Sequence, residues 1–172
     1  MALTVVQEKL TSDEKLKVME ATKLFENLVY VGWNTWDHFD WIYKIYYDKS
    51  FAGVCAINTF QSYAKMGPLV LLPTFHGKGL GKKLVTTIIE REKQKHNLYI
   101  GNSNLKVWHI ADGLDFVERS TSSIPYQVKI IYVKMSLIVL REGEFIPFLK
   151  ELMRKLKRFP HREKLKHFCL NR

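Results

Sequence analysis

Residues 69 to 84 read LVLLPTFHGKGLGKKL and constrain the chain more than any other stretch. Leu69 to Leu72 is an apolar run of β type that Pro73 stops. Gly77, Gly79 and Gly81 then punctuate a six-residue turn that opens a segment rich in Lys and β-branched residues. A strand that ends in glycines and feeds straight into a helix leaves N–H groups unpaired at the helix N-terminus, where the dipole favours negative charge. Such a turn is a cradle for a phosphate. Glycine suits it because a side chain would hold a pyrophosphate away from the amides, and because turn positions of this kind call for positive φ. Lys78, Lys82 and Lys83 add positive charge. A glycine turn with no ligand remains the alternative at this point. The stretch is not a Walker loop, since no Ser or Thr follows a Gly-Lys pair at the required spacing, and it lacks the glycine pattern and distant acid of a dinucleotide fold.

The six residues His76, Gly77, Lys78, Gly79, Leu80 and Gly81, with Pro73 three before the first, resemble the acyl-CoA loop of the GNAT acyltransferase superfamily. That pattern is Arg or Gln, two residues, Gly, one residue, then Gly or Ala, and His76 is the departure from it. Asn104 to Phe116 is similar to the family's later motif, an Asn after the fifth strand, a helix, and Gly-Phe closing it, with Asp115 in place of the Gly and Gly113 as the expected helix stop. The resemblance implies an α/β (α+β) fold over about residues 3 to 140: a mixed, mostly antiparallel central sheet flanked by helices. An extra basic helix follows at the C-terminus. The chain is thus read as a GNAT-like acyl-CoA-binding domain over 1–143 and a basic amphipathic helical extension of the same domain over 144–172.

The rest of the chain fits that order. Leu3 to Leu10 reads as a first strand, and Thr11-Ser12-Asp13-Glu14 starts a helix with a cap and early acids that runs to about Asn27. Asn34-Thr35 caps a short second helix through Trp36, Phe39 and Ile42. Tyr43 to Tyr47 and Phe51 to Phe60 flank a polar turn and read as a hairpin, with Gly53 at a glycine position of the family. Gln61 to Leu72 is the fourth strand, Gly81 to Lys95 a helix, Leu98 to Ile100 the fifth strand, and Leu105 to about Gly113 a helix. Val117 to Ser120 and the β-branched run Tyr126 to Leu140 read as two more strands. Glu142-Gly143 breaks the chain before a last helix, in which Phe145, Phe148, Leu149, Leu152, Leu156 and Phe159 recur at helical spacing up to Pro160.

Composition narrows the function. At 172 residues the chain suits one domain with a substantial core, and no apolar run reaches the roughly 20 residues of a membrane helix. The N-terminal segment shows no cleavable signal pattern, so a cytoplasmic location is expected. Cys55 and Cys169 lie far apart and suggest reduced thiols, with no metal site. Of the formal charge of +10, residues 150–172 carry +7, with nine Lys or Arg against Glu151 and Glu163. A basic tail of this kind, Arg154, Lys155, Lys157 and Arg158 included, suits a polyanion such as nucleic acid, and equally a merely solvated face. Its apolar stripe suits packing on the sheet or a homodimer. Trp33, Trp36 and Trp41, in an aromatic-rich segment from Tyr30 to Tyr47, are candidates for an acceptor wall, with core packing as the other reading.

What the resemblance implies for chemistry is a bound acetyl-CoA and direct attack on it by an amine, small-molecule or macromolecular, in a ternary complex. The cofactor would lie along Leu71 and Leu72, on the loop from His76 to Lys82, and against Asn104. The fourth and fifth strands would splay, and the Leu71 backbone N–H would be the oxyanion donor. Two expected groups are absent: Ala111 stands at the family's Tyr position, and Gln61 to Leu72 contains no Asp or Glu. Substitutes are His109, Ser103 and Tyr99 on the cofactor side and His38, Tyr63 and Asp37 on the acceptor side. A nucleic-acid-directed enzyme and a non-catalytic acyl-CoA-binding module are the alternative readings.

Overall fold

The computed structural model describes residues 2–25, 31–102, 104–158 and 165–171, apart from the side chains of Leu156 and Arg158. In chain order the elements are β1 (Leu3–Gln7), α1 (Ser12–Lys23), a 3-10 turn (Thr35–His38), β2 (Trp41–Tyr47), β3 (Ser50–Phe60), β4 (Tyr63–Leu71), α2 (Leu80–Glu92) and β5 (Asn97–Asn102). These are followed by α3 (Leu105–Asp112), β6 (Val117–Arg119), α4 (Tyr126–Arg141), α5 (Phe145–Arg158) and β7 (Lys166–Leu170). One seven-stranded sheet has the order β1-β2-β3-β4-β5-β7-β6. Every pairing in it is antiparallel except β4 with β5.

Local chemistry accounts for most boundaries. Thr11 caps α1 in a capping box: its hydroxyl accepts the Glu14 N–H and the Glu14 carboxylate accepts the Thr11 N–H, an arrangement worth about 1 kcal/mol. Asp48 and Lys49 take φ of 46° and 66° in the two-residue turn between β2 and β3. Gly53 lets two strands meet, because a Cβ there would lie 2.4 Å from the Val70 carbonyl oxygen. Gly113 does not supply the left-handed stop after α3: its φ is −74°, and Asp115 takes φ of 61° in the place where the family has Gly.

Two apolar clusters sandwich the sheet. Leu84, Val85 and Ile88 of α2, with Val107 and Ala111 of α3, cover one face. Val18 and Ala21 of α1, Trp36, Phe39 and, from α4, Met135 pack on the other. The expected strand over Tyr126–Leu140 is a helix. Its β-branched content is overridden by packing: Val128 and Ile131 are fully buried and Met135 packs against the cluster under α1, a helical spacing of three and four. The expected helical tail also needs correction, since Lys166–Leu170 is not helix but β7, inserted between β5 and β6. Phe159 and Pro160 fall outside the described residues.

The fold positions a site by what it fails to pair. β4 and β5 are hydrogen-bonded only from Tyr63–Asn97 to Met66–Ile100. Beyond that point β4 continues against β3 alone, with a register shift opposite Gly67 and Pro68, while Gly101 and Asn102 pair with β7 alone. The two strands therefore part, and the fork between them opens toward the glycine turn.

Candidate functional site

The turn between β4 and α2 is an open glycine turn that leads into a helix N-terminus. Pro73–Phe75 form a short 3-10 turn, then Gly77 and Gly79 take φ of 78° and 71°, a left-handed conformation that side chains resist. Gly79 is the N-cap residue of α2. A Cβ built at Gly77 or Gly79 would meet nothing within 4 Å, so the turn is open on its outer side. The first helical bond of α2 is Lys83 N–H to Gly79 C=O, and the N–H groups from Gly77 to Lys82 have no acceptor among the described residues. Lys82 and Lys83 are exposed beside it. Lys78 lies over the rings of Tyr47 and Phe75, at 4.8 and 5.2 Å. Leu80 is buried in the core and contributes only main chain.

Leu72 donates its N–H to Ala52 C=O and accepts from Phe75 N–H, so its main chain is engaged within the fold and not free for a ligand, contrary to expectation. Alternation along the strand then turns the N–H of Leu71 away from β3 and toward the fork. His76 also departs from the expected role: its ring Nε2 lies 3.0 Å from the Leu71 carbonyl oxygen, and its N–H donates to Pro73 C=O. The imidazole buttresses the end of β4 and is engaged away from the glycines. His76→Arg should accordingly leave the affinity for acetyl-CoA unchanged, as measured by titration calorimetry.

On the other arm of the fork, Asn104 is the N-cap of α3 and its Oδ1 accepts the Lys106 N–H, leaving the amide nitrogen for a ligand. Trp108 Nε1 donates to Asn102 C=O at the end of β5. Ala111 is fully buried against the core. His109 is an exposed residue of α3. Ser103 lies outside the described residues.

The acceptor-side candidates do not converge. Trp36 is 1% exposed and a core residue. Trp41 packs against the core and edge-on to His96. Trp33 is exposed under Lys15, which pairs with Asp37 at 2.7 Å. His38 pairs with Glu142 at 2.8 Å, and Glu142 is ten residues from Tyr132 on α4, about 15 Å along a helix. Tyr63 sits at the closed end of the β4–β5 pair, opposite Asn97. In the tail, Lys155 is 1% exposed and donates to Thr22 C=O, so it is no part of an outward basic face. Arg154 is held by Glu151 and the Lys23 carbonyl. Lys157 is exposed, and the side chain of Arg158 lies outside the described residues.

What the sequence reading missed lies at the closed end of the fork. Lys65 is Cα-paired with Asn58 on β3 and with Tyr99 on β5, and its Nζ stands 4.9 Å from the ring of Tyr132 on α4. Tyr99 hydrogen-bonds His167 Nδ1 of β7 through its hydroxyl. Burial pushes the Tyr99 and Tyr132 hydroxyls up and the His167 imidazole down, so each is held neutral. Tyr99 alone of these was singled out in the sequence; a lone Lys in a strand and a Tyr in an apolar run carry no signal there.

The description of the family whose model matches residues 8–116 is acetyltransferase (GNAT) family. Among solved structures the fold is similar to an Escherichia coli ribosomal-protein-S18-alanine N-acetyltransferase, at TM-score 0.55 and 13% identity over 68% of this chain and 80% of that one. An N-acetylglutamate synthase from Neisseria gonorrhoeae, complexed with coenzyme A and L-arginine, aligns at TM-score 0.60 and 15% identity over 98% of this chain and 34% of that one. A GNAT family acetyltransferase from Elizabethkingia anophelis with acetyl-CoA bound gives TM-score 0.55 and 16% identity over 69% and 78%. At these identities the likeness is one of fold. Among curated proteins none matches the sequence.

Proposed function

Because the chain belongs to the GNAT acetyltransferase family, we propose that it is an acetyl-CoA-dependent N-acetyltransferase in which an amine attacks the thioester directly in a ternary complex. The observation that carries this reading is the join of two features: an open turn whose N–H groups from Gly77 to Lys82 have no partner among the described residues, and a fork between β4 and β5 that leads to it. The turn and α2 N-terminus suit a pyrophosphate, with Lys82 as a nearby cation. The fork suits an extended arm, held by main chain at Leu71 and by the Asn104 side chain. Bound acetyl-CoA supplies the activated acyl group. This chain's part is to place it, with the Leu71 N–H directed to where negative charge grows on the carbonyl oxygen.

Acetyl-CoA binding only the native state should raise the melting temperature. At a hundredfold excess over Kd the gain is about 2.7 kcal/mol, on the order of 5–10 °C for a domain of this size. Release of CoA thiol in the presence of primary amines tests the transfer itself. A thermal shift without CoA release would favour a binding module, and neither would remove the reading.

A further inference from the structure

A row of polar side chains crosses the sheet beneath α4, apart from the loop and from both apolar clusters. Asn58, Lys65 and Tyr99 are neighbours on β3, β4 and β5. Ala64 and Met66, on either side of Lys65, point into the core under α2, so Lys65 points the other way, to Tyr132. Asn58 is fully buried, and neither its amide nitrogen nor its oxygen has a partner among the described residues. A buried amide with both ends unused is rare and marks a place where a polar group can be received. Gly101, the first β5 residue past the pairing with β4, belongs to the same place: a Cβ there would lie 2.5 Å from the Tyr132 hydroxyl, so only glycine leaves room for that oxygen where the strands part.

We propose that Lys65 is the group that takes the proton from the incoming amine, at the point where β4 and β5 part. The proposal rests on the acetyltransferase reading and supplies the base that the carboxylate-free fourth strand lacks. Position favours it, since Lys65 precedes Met66, the last residue paired with β5. Charge favours it as well. Among the described residues no carboxylate lies within ion-pair distance of its Nζ, and the groups around it, Asn58 on β3, Tyr99 on β5, His167 behind Tyr99 and Tyr132 on α4, are neutral. Burial pushes the Lys65 amine down to about 8, opposed only by Cys55. A lysine tuned this way is part neutral near physiological pH, the condition for a base.

The protons balance. The acceptor ammonium gives one proton to Lys65 Nζ, and the freed electron pair forms the N–C bond to the thioester carbonyl carbon. The C–S bond breaks, the sulfur leaves with its pair and takes up the second nitrogen proton, and the third stays on the amide. Lys65 then returns its proton to water.

Lys65→Met, which keeps the bulk of the side chain without the amine, provides the test, with Lys65→Arg beside it. Acetylation of wild-type lysines by acetic anhydride across pH 6–11, followed by peptide mass spectrometry, should show half-maximal reactivity of Lys65 near pH 8. A value of 10 or above overturns the proposal. A lysine depressed in the folded state destabilises it below about pH 8 and ceases to do so as the pH rises to the unfolded value near 10.5. Lys65→Met should therefore melt higher than wild type at pH 7, and the gain should vanish by about pH 10.5. With acetyl-CoA and a panel of primary amines, from spermidine to a peptide with a free N-terminus, CoA release by wild type should rise with pH to a plateau above 8. Both variants should lose about 100-fold or more in kcat at unchanged acetyl-CoA Kd. If Lys65→Arg keeps its kcat and raises only the amine KM, Lys65 is a cationic anchor and the proposal falls. If wild type neither binds acetyl-CoA nor releases CoA with any amine, the acetyltransferase reading itself falls and takes this step with it.

Discussion

Gly79→Asp should abolish the acetyl-CoA-induced rise in melting temperature and weaken binding by at least about 100-fold, which corresponds to about 2.7 kcal/mol. The residue stands at the N-cap of α2 with φ of 71° and nothing within 4 Å of its Cβ position. A Cβ placed there meets no protein atom, so the cost within the protein is that of the left-handed φ, and a loss of binding beyond it comes from what the side chain does to a ligand. Asp tolerates the left-handed region better than most residues, and its charge is favoured at a helix N-terminus. The melting temperature without ligand should therefore fall by no more than about 4 °C, the effect of roughly 1 kcal/mol. Gly79→Asn separates charge from bulk: it has the same shape and no charge, and should retain part of the binding. Equal affinity for acetyl-CoA in wild type and Gly79→Asp, with the fold intact by circular dichroism, would remove the phosphate cradle from this turn.

That the glycine turn could be found in the sequence follows from how local its cause is. Three glycines, a preceding Pro73 and an apolar β run are contiguous, and each acts through its own φ or its missing N–H. The capping box at Thr11 and the β2–β3 hairpin are legible for the same reason. The failures are non-local. Tyr126–Arg141 is apolar on its buried side, at Val128 and Ile131, and also on its exposed side, at Tyr126, Ile130, Val133, Leu137 and Leu140. With both faces apolar the helical period disappears and the β-branched residues dominate the reading. β7 is five residues long and follows a basic run, and its pairing to β5 and β6 needs partners more than 45 residues away. The tryptophans of the aromatic segment could not be sorted by composition: Trp36 is buried in the cluster beneath α1, while Trp33, three residues earlier, stays exposed under Lys15. Lys65 is the sharpest case. Asn58, Tyr99 and Tyr132 surround it only through the β3–β4 hairpin, the β4–β5 pairing and the packing of α4 on the sheet.

The stability of the α1–β2 contact should depend most on Glu14. This carboxylate is 7% exposed and has three partners: Oε2 accepts from Thr11 N–H at 2.9 Å and from Lys44 Nζ at 3.3 Å, and Oε1 accepts from the Tyr46 hydroxyl at 2.5 Å. Burial pushes the acid up, but Tyr46, the Thr11 N–H and Lys44 together outweigh it and hold the group below its ordinary value. Lys44 is only 3% exposed, and its other partner, Glu8, stands mostly in water. Glu14→Ala would leave the Lys44 ammonium nearly buried with that weak partner and would remove the capping box. Breaking one side of a buried pair costs about 3–5 kcal/mol, so the melting temperature should fall by on the order of 10 °C. Glu14→Gln keeps the shape and part of the hydrogen bonding, and should cost less. Because the folded acid is depressed, its contribution is full above the unfolded value near 4.5 and is lost as the pH falls through the folded value. The advantage of wild type over Glu14→Gln should therefore shrink below about pH 4.5. The double variant Glu14→Ala, Lys44→Met removes the stranded charge and should recover much of the loss in urea titrations. A double variant no more stable than Glu14→Ala would mean that the damage lies in the lost cap and the Tyr46 bond, and that the buried lysine was not the cause.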